Sequence, residues 1–192
     1  FFLMIRRPPR STLFPTRRSS DLLRLEDRQV NLVEDGVDCA VRIGHLGDSS
    51  LVARQVGSMR RVVVGAPAYF KDHGEPRTPE ALAKHQTIQF GAADDWRFAK
   101  DGKELRIAVS PRLVTNNADT AIQYAEAGGG VTRVMAYQAA DGLRGDRLKR
   151  VLAKYEPPPV PIHIVFPSSR LLSAKVRAFI DLIATTCDWR DR

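Results

Sequence analysis

Seven residues, Val37, Asp38, Cys39, Ala40, Val41, Arg42 and Ile43, make a nearly unbroken apolar run that stops at Gly44. A run this short and this apolar reads as a strand covered on both faces, because a strand open to water on one side alternates apolar with polar residues. Such a strand needs a layer of structure on each side, and the rest of the chain supplies the layers. Residues 22–25, 51–56, 61–66 and 131–134 read as further strands. Between them lie helical patterns. Residues 28–35 form a short helix with Val30 and Val33 inward, stopped by Gly36. Thr78 caps a helix with Pro79 in its first turn. Asn117 caps another whose apolar face is Ala118, Ala121, Ile122 and Ala125, and a last one begins near Ser173 with Val176, Phe179, Ile180 and Ile183 inward. Strands alternating with helices predict an α/β fold.

A hairpin interrupts that alternation, so the sheets are expected to be mixed. Residues 96–100 and 103–109 flank Asp101 and Gly102, the pair that supplies the positive φ angles of a tight primed turn. Trp96 and Phe98 alternate with Arg97 and read as core on one face. A base-stacking platform would need several exposed aromatics on one sheet, and only 7% of the chain is aromatic. Gly128, Gly129 and Gly130 follow a helix and precede a strand, the reverse of the order a phosphate cradle requires, so they read as a helix cap with close backbone packing. Pro157, Pro158 and Pro159 form a stiff linker before the strand at 162–166.

Charge and cysteines narrow the function classes. The formal net charge is +8, but residues 1–21 hold Arg6, Arg7, Arg10, Arg17 and Arg18 against Asp21 alone. Half the surplus therefore sits in a segment without helical or alternating periodicity, which resembles translated sequencing-adapter sequence and is expected to be a non-native leader outside the fold. Its charges follow its apolar residues, the wrong order for a secretory signal. The mild surplus over the rest reads as solvated surface, not a nucleic-acid footprint. Cys39 and Cys187 lie far apart and point to a reduced cytoplasmic chain, and four scattered histidines give no metal spacing. No apolar run approaches the ~20 residues of a membrane-spanning helix.

The segments Arg42-Ile43-Gly44, 48–54 (DSSLVAR), 61–69 (RVVVGAPAY) and 161–170 (PIHIVFPSSR), in that order and spacing, resemble the effector-binding domain of LysR-type transcriptional regulators over roughly residues 22–184. The resemblance implies a type 2 periplasmic-binding-protein-like fold, with two Rossmann-like lobes, mixed sheets and an effector in the cleft between them. On this reading residues 22–66 and 162–192 form lobe I and 67–161 form lobe II, with 61–66 crossing into the second lobe and 161–166 crossing back beside it. The domain opening of this family, about thirty residues or one βαβ unit, has no counterpart before residue 22, so lobe I is expected to be incomplete. The helix-turn-helix head that would contact DNA is likewise expected to be missing.

Ten residues are candidates for effector contact, each with a plainer alternative. Arg42, Gly44 and His45 lie at the end of what reads as a parallel strand, where open α/β sheets place ligands, and Arg42 could clamp a carboxylate. Equally, Arg42 fits a strand-end ion pair and His45 fits a solvent-facing loop. Thr115, Asn116 and Asn117 precede a helix whose free N–H groups could receive a carboxylate. Asn117 as a simple cap needs no ligand, and Asp119 in the first turn opposes a strongly anionic one. Ala66, Pro67, Phe166 and Pro167 mark the ends of the crossing strands, as hinges or as pocket lining. Tyr124 reads as either a subunit contact or ordinary surface.

No catalytic order, metal spacing or phosphate loop stands out, so neither an enzyme nor a cofactor is expected. Two readings remain: the effector-sensing domain of a DNA-binding regulator that is a homo-oligomer in full-length form, or a solute-binding protein of a transport system, which shares the two-lobed fold.

Overall fold

The computed structural model describes residues 2–6, 22–26, 31–47, 51–91, 95–167 and 174–186. In chain order the strands are β1 (Phe2–Arg6), β2 (Leu22–Glu26), β3 (Val37–Ile43), β4 (Leu51–Met59), β5 (Arg61–Gly65), β6 (Thr87–Phe90), β7 (Asp95–Lys100), β8 (Lys103–Ala108), β9 (Pro111–Thr115), β10 (Val131–Met135), β11 (Lys149–Val151) and β12 (Val160–Pro167). The helices are α1 (Pro67–His73), α2 (Ala118–Glu126), α3 (Ala136–Arg144) and α4 (Ala174–Thr186), with 3-10 turns at Pro79–Lys84 and Ala153–Tyr155.

The chain divides into two compact units. The first comprises Phe1–Ser58 and Val160–Arg190, the second Met59–Pro159. The expected division at residues 66/67 and 161/162 is corrected at its first boundary, because β5 hydrogen-bonds on both sides within the sheet of the second unit. Residues 61–66 therefore do not run beside the returning strand, and β12 pairs with β3 and β4 instead. The three prolines end the second unit, where a stiff linker was expected.

The sheet of the first unit has the order β2-β1-β3-β12-β4. Phe2–Arg6, set aside as a leader, is a strand of this sheet, antiparallel to β2 on one side and β3 on the other. Its five residues are a usual strand length. Residues 7–21 lie outside the described residues. As expected, β3 is buried over Val37, Cys39, Ala40 and Val41. Ahead of it the chain makes a turn, with Val37 N–H donating to the Leu32 carbonyl and Gly36 at φ +64°. There Leu32 faces inward and Val33 is 55% exposed, which corrects the expected inward Val33; Val30 lies outside the described residues. Val176, Ile180 and Ile183 of α4 are buried.

The second unit has a mixed sheet of order β11-β5-β10-β6-β9, covered on both faces. The alternation along β5 divides its core. Val62 and Val64 pack with Ile88, Val134, Ala121, Ile122 and Ala125 beneath α2. Val63 points the other way, toward Trp96, Phe98, Tyr69, Phe70 and Leu82. The β7–β8 hairpin lies on this second face, its turn made by Asp101 at φ +51° and Gly102 at φ +74°. Trp96 fixes it in place by donating its Nε1–H to buried Gln89 Oε1 at 2.7 Å. Near Thr78 the structure departs from expectation: Pro79 opens the turn, but the Thr78 side chain makes no cap hydrogen bond.

Candidate functional site

In the first unit, Arg42, Gly44 and His45 stand together at the C-terminal end of β3. Gly44 adopts φ +124°, a region that L side chains rarely enter, and donates its N–H to the Pro161 carbonyl at 2.8 Å. The glycine thereby turns the chain away as β12 begins. Arg42 is half-buried opposite His163 on β12, and burial lowers its guanidinium pKa. His45 is exposed, as its solvent-facing alternative required. One expectation is corrected: β3 is antiparallel to both neighbours, β1 and β12, so this is not the end of a parallel strand.

Phe166 and Pro167 stand at the other end of that sheet. Ile162 pairs with Ile43 and Val165 with Ala40, so the last residues of β12 run away from Arg42. Five residues at ~3.4 Å each separate Ile162 from Pro167 by roughly 17 Å. The structure therefore splits the candidates of the first unit into two groups.

In the second unit, Thr115, Asn116 and Asn117 occupy the carboxyl end of β9, which runs parallel to β6, itself parallel to β10. This is where open sheets present ligands at helix starts. The turn is built by side chains: Thr115 Oγ1 accepts the Asn117 N–H at 3.1 Å, and Asn117 Oδ1 accepts the Thr120 N–H at 2.8 Å. The Asn117 carbonyl accepts the Ala121 N–H. The N–H groups of Ala118 and Asp119 remain in the first turn, which has no intrahelical acceptor for them. Asp119 in the same turn sets a negative charge beside these N–H groups. Sequence reasoning missed Gly91, which donates its N–H to the Thr115 carbonyl at 2.9 Å with φ +82°. Its signal was a strand running into glycine, the same mark that drew attention to Gly44.

Ala66 and Pro67 do not end a crossing strand. Ala66 is buried and occupies the cap position of α1, and exposed Pro67 is the first helical residue, where its missing N–H costs nothing. The three glycines behave as read: Gly128 and Gly130 have positive φ, and a Cβ on Gly130 would stand 2.3 Å from the Gln86 carbonyl oxygen. Tyr124 is half-buried, packed against the α2 core and over Gly129. Burial, with Asp38 adjacent, pushes the Cys39 thiol up to about 12, and the side chain packs in the core. Cys187 lies outside the described residues. Among the described residues no group of three metal-ligating side chains occurs, and no helix is long and apolar enough to cross a membrane.

Known proteins share this architecture. The regulatory domain of CrgA, a LysR-type transcriptional regulator from Neisseria meningitidis, superposes with a TM-score of 0.74 at 25% identity, covering 83% of this chain and 79% of that one. The effector domain of AmpR from Pseudomonas aeruginosa, at 20% identity, shares the fold with a TM-score of 0.69, over 83% of this chain and 77% of that one. An HTH-type transcriptional regulator of Xanthomonas campestris pv. campestris is 32% identical over 171 residues, 85% of this chain and 49% of the relative. The HTH-type transcriptional activator AaeR of Escherichia coli is 30% identical over 154 residues, 79% of this chain and 50% of AaeR. The chain thus spans about half the length of the curated relatives it matches, and their similarity favours the regulator over the transport reading. The family profile of the LysR substrate binding domain matches residues 22–188. With its two α/β units and that match over most of its length, the chain belongs to the LysR substrate binding domain family, whose regulatory domains have the type 2 periplasmic-binding-protein-like fold.

Proposed function

We propose that this domain senses a small-molecule effector, with a carboxylate as the favoured chemistry, and binds it without transforming it. The single observation that carries the reading is the turn at Thr115, Asn116 and Asn117. It stands at the end of parallel strands and leaves first-turn N–H groups for an acceptor. Arg42, held at a glycine turn in the first unit, is a candidate cation for a carboxylate there, with Gly44 and His45 beside it. Ala66 and Pro67 in the second unit and Phe166 and Pro167 in the first serve the framework of their own units. Effector binding shifts a conformational balance only by its differential affinity for the two states. In the full-length regulator, a cytoplasmic homo-oligomer, that shift reaches a helix-turn-helix head on DNA.

A thermal-shift screen of the chain against small aromatic and aliphatic carboxylates and amino acids tests the reading. At least one should raise Tm saturably, and Arg42→Gln together with Thr115→Val should remove that rise. A rise that survives both substitutions overturns the residue assignment, and turnover of the ligand overturns the non-catalytic reading.

A further inference from the structure

Two arginines on the hairpin face of the second unit form no ion pair among the described residues. Arg61 opposes Met135 across β5 and β10, and Arg133 opposes Val63. The two are therefore diagonal neighbours on one face, with their backbones about 7–8 Å apart. Both are half-buried. Arg133 donates from Nη1 to the Arg97 carbonyl at 3.0 Å, and its guanidinium lies 5.8 Å from the centre of the Trp96 ring. That bond fixes the position of the Arg133 fork. Exposed Arg97 stands over the same place, and its cross-strand partner is Arg106.

Among the described residues the acids here are few and engaged elsewhere. Asp95 and Glu104 both pair with Arg106, and among the described residues neither Arg61 nor Arg133 forms an ion pair. Burial, followed by repulsion from Arg61, pulls the Arg133 pKa down to about 10, and Asp95 offsets only part of this. Arg61 is lowered too, by burial and then by Arg97. Like charges clustered in half-buried positions destabilise a fold unless something anionic joins them.

We propose that Arg61 and Arg133, with Arg97 at the rim, form an oxyanion site in the second unit that takes a carboxylate, phosphate or sulfate group. Guanidinium forks suit such groups because they donate two parallel hydrogen bonds to neighbouring oxygens. The site shares no residue with the Thr115 turn or with Arg42 and stands independently of the effector reading.

The test is thermal unfolding of the whole chain in sodium phosphate, sulfate or acetate, each against sodium chloride of equal ionic strength. At ten times Kd the bound anion should raise Tm by roughly 3–6 °C. Arg61→Gln and Arg133→Gln should each abolish this rise. In chloride both should melt no lower than the parent chain, since each removes a repulsion, an outcome that a purely structural arginine would not give. Arg133→Lys should keep part of the response, while Arg112→Gln keeps all of it. If Arg133→Gln fails to fold, Arg61→Gln decides alone. A response to acetate as well marks a carboxylate site, and a response to phosphate and sulfate only marks a tetrahedral one; both support the site. Equal melting in chloride and in all three anions, or a full response in the Gln variants, overturns it.

Discussion

The end of β3 and the end of β9 both carry candidate effector contacts, but they are held in different ways. At β3 the backbone does the work: Gly44 enters a conformation closed to most residues and bonds to Pro161 on an antiparallel neighbour. At β9 side chains do it: Thr115 and Asn117 close the turn over parallel strands covered on both faces. The first end depends on one missing Cβ. The second depends on a core beneath it and on two oxygen acceptors, so a substitution should affect the two ends through different physics.

The largest effect should come from removing the support of the second end. Trp96→Ala empties a buried site and orphans Gln89, and should cost about 3–5 kcal/mol by urea denaturation. A loss under 1 kcal/mol would mean that the hairpin does not brace the sheet. Gly130→Ala should follow at about 3 kcal/mol, since its Cβ meets the Gln86 carbonyl and its φ of +138° is strained for alanine. At the first end, Gly44→Ala meets open space, with nothing within 4 Å of the new Cβ. It should cost only the backbone strain, about 1–2 kcal/mol. Asn117→Ala should be smallest at about 1 kcal/mol, and Asn117→Asp should restore it, because either side chain accepts the Thr120 N–H. If Asn117→Ala cost more than Gly44→Ala, the ordering of the two ends would be wrong.

Local chemistry made much of this legible from sequence. The apolar run of β3, the Asp101-Gly102 hairpin, the Asn117 cap and the face of α2 each follow from a rule acting within a few residues. The failures share a cause, which is that pairing partners are distant. Whether 61–66 crosses between units depends on β10 and β11, some seventy and ninety residues away. The direction of β3 relative to its neighbours depends on Phe2–Arg6 and β12, at opposite ends of the chain. Pro67 follows the end of β5 and also opens α1, a helix start that the strand-stop reading left out, because proline suits both positions. Of the candidate site, the residues at each turn were visible, whereas their separation into two groups in the first unit required the register of β12.

The most direct test of the effector reading is isothermal titration of the strongest carboxylate hit into the parent chain, Arg42→Gln, Thr115→Val and Trp96→Phe. Saturable binding should weaken at least tenfold, about 1.4 kcal/mol, in both the Arg42 and Thr115 variants and stay within twofold in the Trp96 variant. Undiminished binding in Arg42→Gln and Thr115→Val together would contradict it.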